Sequence, residues 1–176
     1  MTQKENIGTS VLQLHVLSAH VSLHVENLPP NFPTQWDKVM PQMKEILALG
    51  EKIIASTSPD DQRAQTTSFC LDMGIIIPLY TVASQCQDPL LRRRAITLLR
   101  STSRQEGLWN SLLVAKAAER IMEIEESTLD ETNGCTSGPD LARSPKVKPF
   151  FELDAKGGRL RYFQGGQGVV EEVFSW

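Results

Sequence analysis

Aromatic side chains are scarce in this chain, at 6% of 176 residues, and cysteine occurs only three times. The first shortage argues against a stacking platform for single-stranded nucleic acid, which needs aromatic faces for the bases. The second excludes a disulfide framework and a cysteine-rich zinc module. Cys70, Cys86 and Cys135 are scattered, and no close Cys or Cys/His pairs supply four ligands. Excess positive charge is also missing. Lys and Arg number 18 against 21 Asp and Glu, for a net charge of −3. A surface that must hold a phosphate backbone over its whole area needs the opposite balance, so direct DNA binding is not expected. No apolar run reaches the length of a membrane span. The opening MTQKENIGTS lacks the basic start and apolar stretch of a secretory signal, so a soluble intracellular protein is expected.

What remains is an ordinary globular composition, 40% hydrophobic and 22% charged, enough for one domain with a core. The pattern is mostly helical. Between Thr9 and Val25 two apolar stripes run on opposite sides, Leu12-Val16-Ala19-Leu23 and Leu14-Leu17-Val21-Val25. Parts of the run also alternate as a strand would; a helix buried on both sides is the preferred reading. The prolines of LPPNFP then break regular structure. Thr34 is placed to cap a second helix, with Trp36, Met40, Met43, Leu47 and Ile54 on one face and Pro41 near its first turns. A third, central helix is expected over Phe69–Ala83. Either it kinks at Pro78, or one helix ends and another restarts there. Asp88-Pro89 reads as a helix start: a capping side chain, then proline at the first helical position. Leu91, Ala95 and Leu98 face inward from it. SRQEG makes a short turn, and Leu108–Glu126 forms the last helix. Short connections imply antiparallel neighbours.

From Ser127 the pattern dissolves into Ser, Thr, Gly, Pro and acidic residues. KPFFELD, a turn at Lys156-Gly157-Gly158 and RLRYF read as a β-hairpin. VVEEVFSW follows, with apolar residues to dock on the helices. The expected fold is therefore mainly α: an antiparallel helical array with a small C-terminal β-hairpin. Its expected parts are a helical domain over 1–127, a flexible linker over 128–148, and the hairpin and tail over 149–176.

Few residues suggest chemistry. His20 and His24, four apart, share a helical face, but no HExxH motif or suitably spaced carboxylate completes a metal site. Gly165-Gly166-Gln167-Gly168 lacks both a third glycine and a GK[ST], and reads as a loop. No GxSxG or cysteine-centred signature appears, and Asp72 and Glu125 are not spaced as an acid/base pair. No catalytic residue, metal or cofactor is expected. The clearest electrostatic feature is Arg92, Arg93, Arg94, Arg100 and Arg104. Two readings stand: a contact surface for an acidic partner or a phosphate backbone, or a solvated helix face with internal ion pairs, which is preferred. Glu125 falls within the apolar arc of the last helix and needs a cation if buried; an arginine of the preceding helix is the obvious candidate.

The order of motifs through DMGIIIPLYTVASQCQDPLLRRRAITLLRSTSRQEGLWNSLLVAKAAERIMEIEE resembles the C-terminal regulatory region of fungal zinc-cluster transcription factors. The matching features are Gly74 to Pro78, Cys86 to Asp88-Pro89, Arg92 to Arg94, Glu106 to Asn110, and Glu123 to Glu126. The six-cysteine DNA-reading module of that family is not in this sequence. The resemblance implies a helical domain that regulates transcription, often of secondary metabolism, in the nucleus. It would act through a protein partner, a transcription regulator or component, or by sensing an effector. Phe69, Met73, Ile76 and Tyr80 would line an apolar pocket, with Trp109 either at its rim or simply in the core. The competing functions are a helical adaptor unrelated to transcription and a secondary-metabolism enzyme.

Overall fold

The computed structural model describes residues 3–26, 37–56, 68–70, 74–132, 148–152, 157–164 and 168–175. Among these, five helices form the core: α1 (Gln3–Glu26), α2 (Met40–Ser56), α3 (Ile76–Gln85), α4 (Pro89–Ser101) and α5 (Ser111–Thr132). Two small sheets accompany them. Strands β1 (Ser68–Cys70), β2 (Arg104–Glu106) and β3 (Trp109–Asn110) make the first. Strands β4 (Lys148–Glu152), β5 (Gly157–Gln164) and β6 (Gly168–Ser175) make the second. The mainly helical architecture expected from the sequence is the one observed. The LPPNFP break, the Thr34 cap, Trp36, Met73, Cys135, the Lys156 turn residue and the loop 165–167 lie outside the described residues.

Helix α3 is the hub, packed against α1, α2, α4 and α5. Ile76, Pro78, Leu79, Val82 and Ala83 are all buried along its short length. Each large aliphatic side chain so removed from water contributes about 2 kcal/mol. Met43, Ile46, Leu47 and Ile53 of α2, Leu14 and Val21 of α1, Ala95, Ile96 and Leu99 of α4, and Val114, Ala115, Ala118 and Met122 of α5 complete the same cluster. Ser18 of α1 and Thr81 of α3 share a buried hydroxyl hydrogen bond of 2.9 Å, which gives Ser18 a partner inside the apolar interface; Thr81 also donates to Ile77 O at 3.1 Å.

The ion pairs record the direction of α4 against α5. Arg92 and Arg93, early in α4, meet Glu125 and Glu126, late in α5; Arg100, late in α4, meets Glu119, earlier in α5. The two helices are therefore antiparallel.

Four expectations need correction. The helix over Phe69–Ala83 does not exist as one element. Phe69 lies in β1, which pairs in parallel with β2, and α3 begins only at Ile76. Pro78 thus falls in the first turn, where its missing N–H costs no helical bond and its ring meets no carbonyl of a preceding turn, so no kink is needed. Second, SRQEG is not a plain turn: Glu106 and Trp109 pair across Gly107-Leu108 in a two-residue hairpin. Gly107 has φ 55°, a conformation that costs glycine little and other residues much. Consequently α5 starts at Ser111, not Leu108, and it runs to Thr132, past the predicted end of the helical part. Third, α1 is buried on one side only. Leu14 and Val21 are sealed, whereas Leu12 and Val16 are each 69% exposed and Leu23 is 61% exposed. Fourth, VVEEVFSW does not merely dock on helices: residues of it form β6, antiparallel to β5, so the predicted hairpin is a three-stranded meander.

The meander joins the helices through charge. Arg120 of α5 grips Glu172 of β6 with two hydrogen bonds of 2.8 Å, from Nε and Nη2. Glu171, one residue earlier, points to the opposite face by the strand's two-residue period. There Arg159 and Arg161 of β5 hold its carboxyl below the usual carboxylate range, chiefly through their hydrogen bonds.

Candidate functional site

Charge is concentrated at the two ends of α3 and along the flank of α4. The N-terminus of a helix leaves amide groups without intrahelical acceptors. In α3 no residue of the helix itself serves: Ile75, at the cap position, makes no side-chain cap bond. Glu106, from the β2–β3 hairpin, supplies the acceptor instead. Its carboxylate takes hydrogen bonds from the amides of Gly74 (2.9 Å), Ile75 (3.0 Å) and Ile76 (3.0 Å). Glu106 is 2% exposed, so this is a buried anion at the positive end of the helix dipole. Arg104 Nε lies 3.2 Å from Oε1, close enough for charge compensation but without an aligned hydrogen bond. The approach demands glycine at position 74: a Cβ there would sit 2.8 Å from Glu106 Cδ, inside contact distance.

The other end of α3 is closed by Arg92. Its Nε donates to the carbonyl of Ala83 at 3.0 Å, and its Nη1 pairs with Glu125. Arg92 is 6% exposed; Nη2 is buried without a partner among the described residues. A cation at the negative end and an anion at the positive end both match the dipole. Just past the C-terminal end of α3, buried Cys86 bonds through its amide back to Val82 O, and Asp88 accepts from the amides of Leu90 and Leu91 to start α4. Asn110 does the same for Leu112 and Leu113 at the start of α5.

Arg93, Arg94 and Arg100 are solvent-exposed by about half and are each paired. Arg93 meets Glu126 at 2.6 Å, and Arg100 meets Glu119. Arg94 binds both oxygens of Glu51 on α2, at 2.5 and 2.6 Å, which pushes its guanidinium further up from an already high value. Arg104 is only partly exposed and turned to Glu106. The cluster read from the sequence is therefore split, with Arg92 and Arg104 inside and Arg93, Arg94 and Arg100 on the rim.

Of the expected pocket residues, Ile76, Tyr80 and Trp109 have described side chains. Ile76 is fully buried in the core. Tyr80 and Trp109 are in tilted ring contact with centroids 6.3 Å apart, an arrangement aromatic pairs favour. Burial pushes the Tyr80 phenol well above its ordinary value, so it stays neutral. Phe69 is in the neighbouring strand, and Met73 is outside the described residues. Sequence reasoning named Glu106 within the motif Glu106 to Asn110 but missed that it closes α3. Its partners lie some thirty residues upstream, and only the glycine at 74 hinted at a close approach. Among the described residues no three His, Cys, Asp or Glu side chains gather as a metal site, and no helix is long and apolar enough to cross a membrane. The rings of His20 and His24 stack with centroids 6.5 Å apart.

Against known proteins, the chain is 28% identical over 125 residues to the aspercryptin biosynthesis cluster-specific transcription regulator atnN of Emericella nidulans. The chain is thus related in sequence to a fungal transcription regulator. The aligned part covers 67% of this chain and 20% of that protein, so the chain spans about a fifth of its relative's length. No family profile and no solved structure matches the chain.

Proposed function

We propose that this chain is a regulatory domain of the fungal zinc-cluster transcription-factor type, corresponding to the part that follows the DNA-reading module. It acts in the nucleus through contacts with other proteins rather than by binding DNA itself. The observation that carries this reading is the likeness to a cluster-specific transcription regulator, which is not an enzyme. The geometry supports the choice of protein over nucleic acid. Arg93, Arg94 and Arg100 already face glutamates, so their field is largely neutralised and gives phosphates little to bind. A chain with three cysteines cannot supply the six ligands of a binuclear zinc cluster. The residues matching the family pattern serve in this fold to assemble helices. Glu106 and Arg92 close α3, Asp88 and Asn110 start α4 and α5, and Gly107 turns the hairpin. Surface is left over for recognition: Leu108, at the tip of that hairpin, is 66% exposed, and Leu112 stands one helical turn on.

The test is affinity capture of the tagged chain from nuclei of a filamentous fungus, followed by mass spectrometry. A transcription regulator or transcription component should be recovered, and the tagged chain should itself be nuclear. A cytoplasmic chain that recovers no such protein would sink the proposal in favour of an adaptor unrelated to transcription.

A further inference from the structure

The corner between α4 and β2 presents a hydroxyl that the fold does not use. Three hydroxyl residues stand there in a row, Ser101, Thr102 and Ser103. Ser101 Oγ donates to the carbonyl of Leu98 at 2.8 Å, and Thr102 Oγ1 donates to that of Leu99 at 3.2 Å. Both are turned back onto the last turn of α4. Ser103 is exposed, and its hydroxyl makes no hydrogen bond among the described residues. The backbone explains its direction. Buried Ser111, at the start of α5, donates from Oγ to the carbonyl of Thr102 and accepts from the amide of Arg104 at 3.1 Å. The chain is therefore pinned inward on both sides of Ser103, which is left at the outer apex of the corner. We propose that Ser103 is a phosphorylation site for an arginine-directed protein kinase.

Charge and backbone both fit that chemistry. Arg100 stands three residues before Ser103, and Arg104 directly follows it. Kinases that select substrates by charge pattern recognise basic side chains so placed. The Arg100 side chain is 53% exposed, so engaging it opens only a rim ion pair with Glu119. Helix α4 ends at Ser101, Thr102 is extended (φ −107°, ψ 100°), and β2 continues the extended chain from Arg104. Only the last helical turn must fray for the segment to enter a kinase cleft. In the reaction Ser103 Oγ bonds to the γ-phosphorus of a nucleoside triphosphate. The bond from that phosphorus to the nucleoside diphosphate breaks, and the hydroxyl proton passes to the kinase's catalytic carboxylate. The product carries about two negative charges just past the C-terminus of α4, where the dipole disfavours an anion; Arg100 and Arg104 on either side offset that repulsion. The same arginine spacing precedes Thr97, but its Oγ1 donates to the Arg93 carbonyl at 2.9 Å within α4, which makes it an internal comparison. Thr66 shares the spacing and lies outside the described residues. The inference does not depend on the regulatory reading above.

Incubation of the purified full chain with ATP and a calmodulin-dependent protein kinase, which requires arginine three residues before its acceptor, tests it. Sites are assigned by phosphopeptide mass spectrometry. Ser103 should approach roughly one phosphate per chain, and Thr97 should be labelled at about a tenth of that rate or less, because its helix hides the hydroxyl. Arg100→Gln should slow labelling of Ser103 about tenfold or more, and Arg100→Lys, which keeps the charge, should recover part of the rate. Arg93→Gln, at another rim arginine of α4, should leave the rate unchanged. These arginines are about half exposed, so helicity by circular dichroism should match the parent. Absence of phosphate at Ser103, labelling of Thr97 as fast as Ser103, or a rate indifferent to Arg100 would overturn the proposal.

Discussion

Arg92 and Arg94 stand two residues apart in one run, yet they belong to different environments. Arg92 faces inward, touches the last turn of α3 and pairs with a glutamate that is itself 14% exposed; Arg94 faces out, and its pair with Glu51 is half in water. Glu106 belongs with Arg92, as the anion closing the opposite end of the same helix. The difference teaches that the arginine block is not one patch. Its inward members close helices, and its outer members trim the surface. Charge in water is screened, while charge in the core is strong and costly to strand.

The largest effect is expected at Glu106. Glu106→Ala removes the acceptor of three amides and leaves them and Arg104 bare, at a cost of about 3–5 kcal/mol, read by urea unfolding. Gly74→Ala should act in the same direction, by about 2 kcal/mol or more, because the new methyl displaces that carboxylate. A Gly74→Ala chain as stable as the parent would remove Glu106 from the account. Next comes Arg92→Met, which strands Glu125 and should cost about 3 kcal/mol. Adding Glu125→Leu should recover most of that loss, since two apolar side chains pay no charge desolvation, and a double variant no better than the single would point to the Ala83 bond instead.

Smaller changes are expected on the rim. Arg93→Ala and Arg100→Ala should each cost under about 1 kcal/mol, Arg94→Ala should be as mild, and the loss should fade in high salt. The smallest effect lies in the C-terminal sheet. Glu171 has its pKa lowered by Arg159 and Arg161, so its contribution is complete above the ordinary carboxylate range and disappears as pH falls through the lowered value. An NMR titration should place its midpoint below that of a free glutamate, and Arg159→Ala should move it back up.

The sequence exposes those elements whose causes are local. Asp88-Pro89 caps α4 as read, and Leu91, Ala95 and Leu98 turn inward, because cap, proline and stripe all lie within four turns. The expected ion pairing of Glu125 with an arginine of the preceding helix was legible too, from a charge placed on an apolar arc. What was not legible depends on distant partners. Residues 68–70 become a strand because β2, far along the chain, supplies the ladder. The apolar run around them looked like more helix, since short buried strands and buried helices share a composition. Helix α1 had two plausible faces, and only the position of α2 and α3 decides that Leu14 and Val21 are the buried ones. For the candidate site, the arginines could be named but not sorted into inner and outer, and Glu106 stood in a recognisable motif without any sign that it caps a helix thirty residues upstream.

A pair of double-mutant cycles, Arg92 with Glu125 and Arg94 with Glu51, measured by urea unfolding in one buffer, tests the division most directly. The inner pair should couple by about 2 kcal/mol or more and hold that value in salt, and the outer pair should couple far less and lose what it has in salt. Equal couplings, or an inner coupling abolished by salt, would contradict the division.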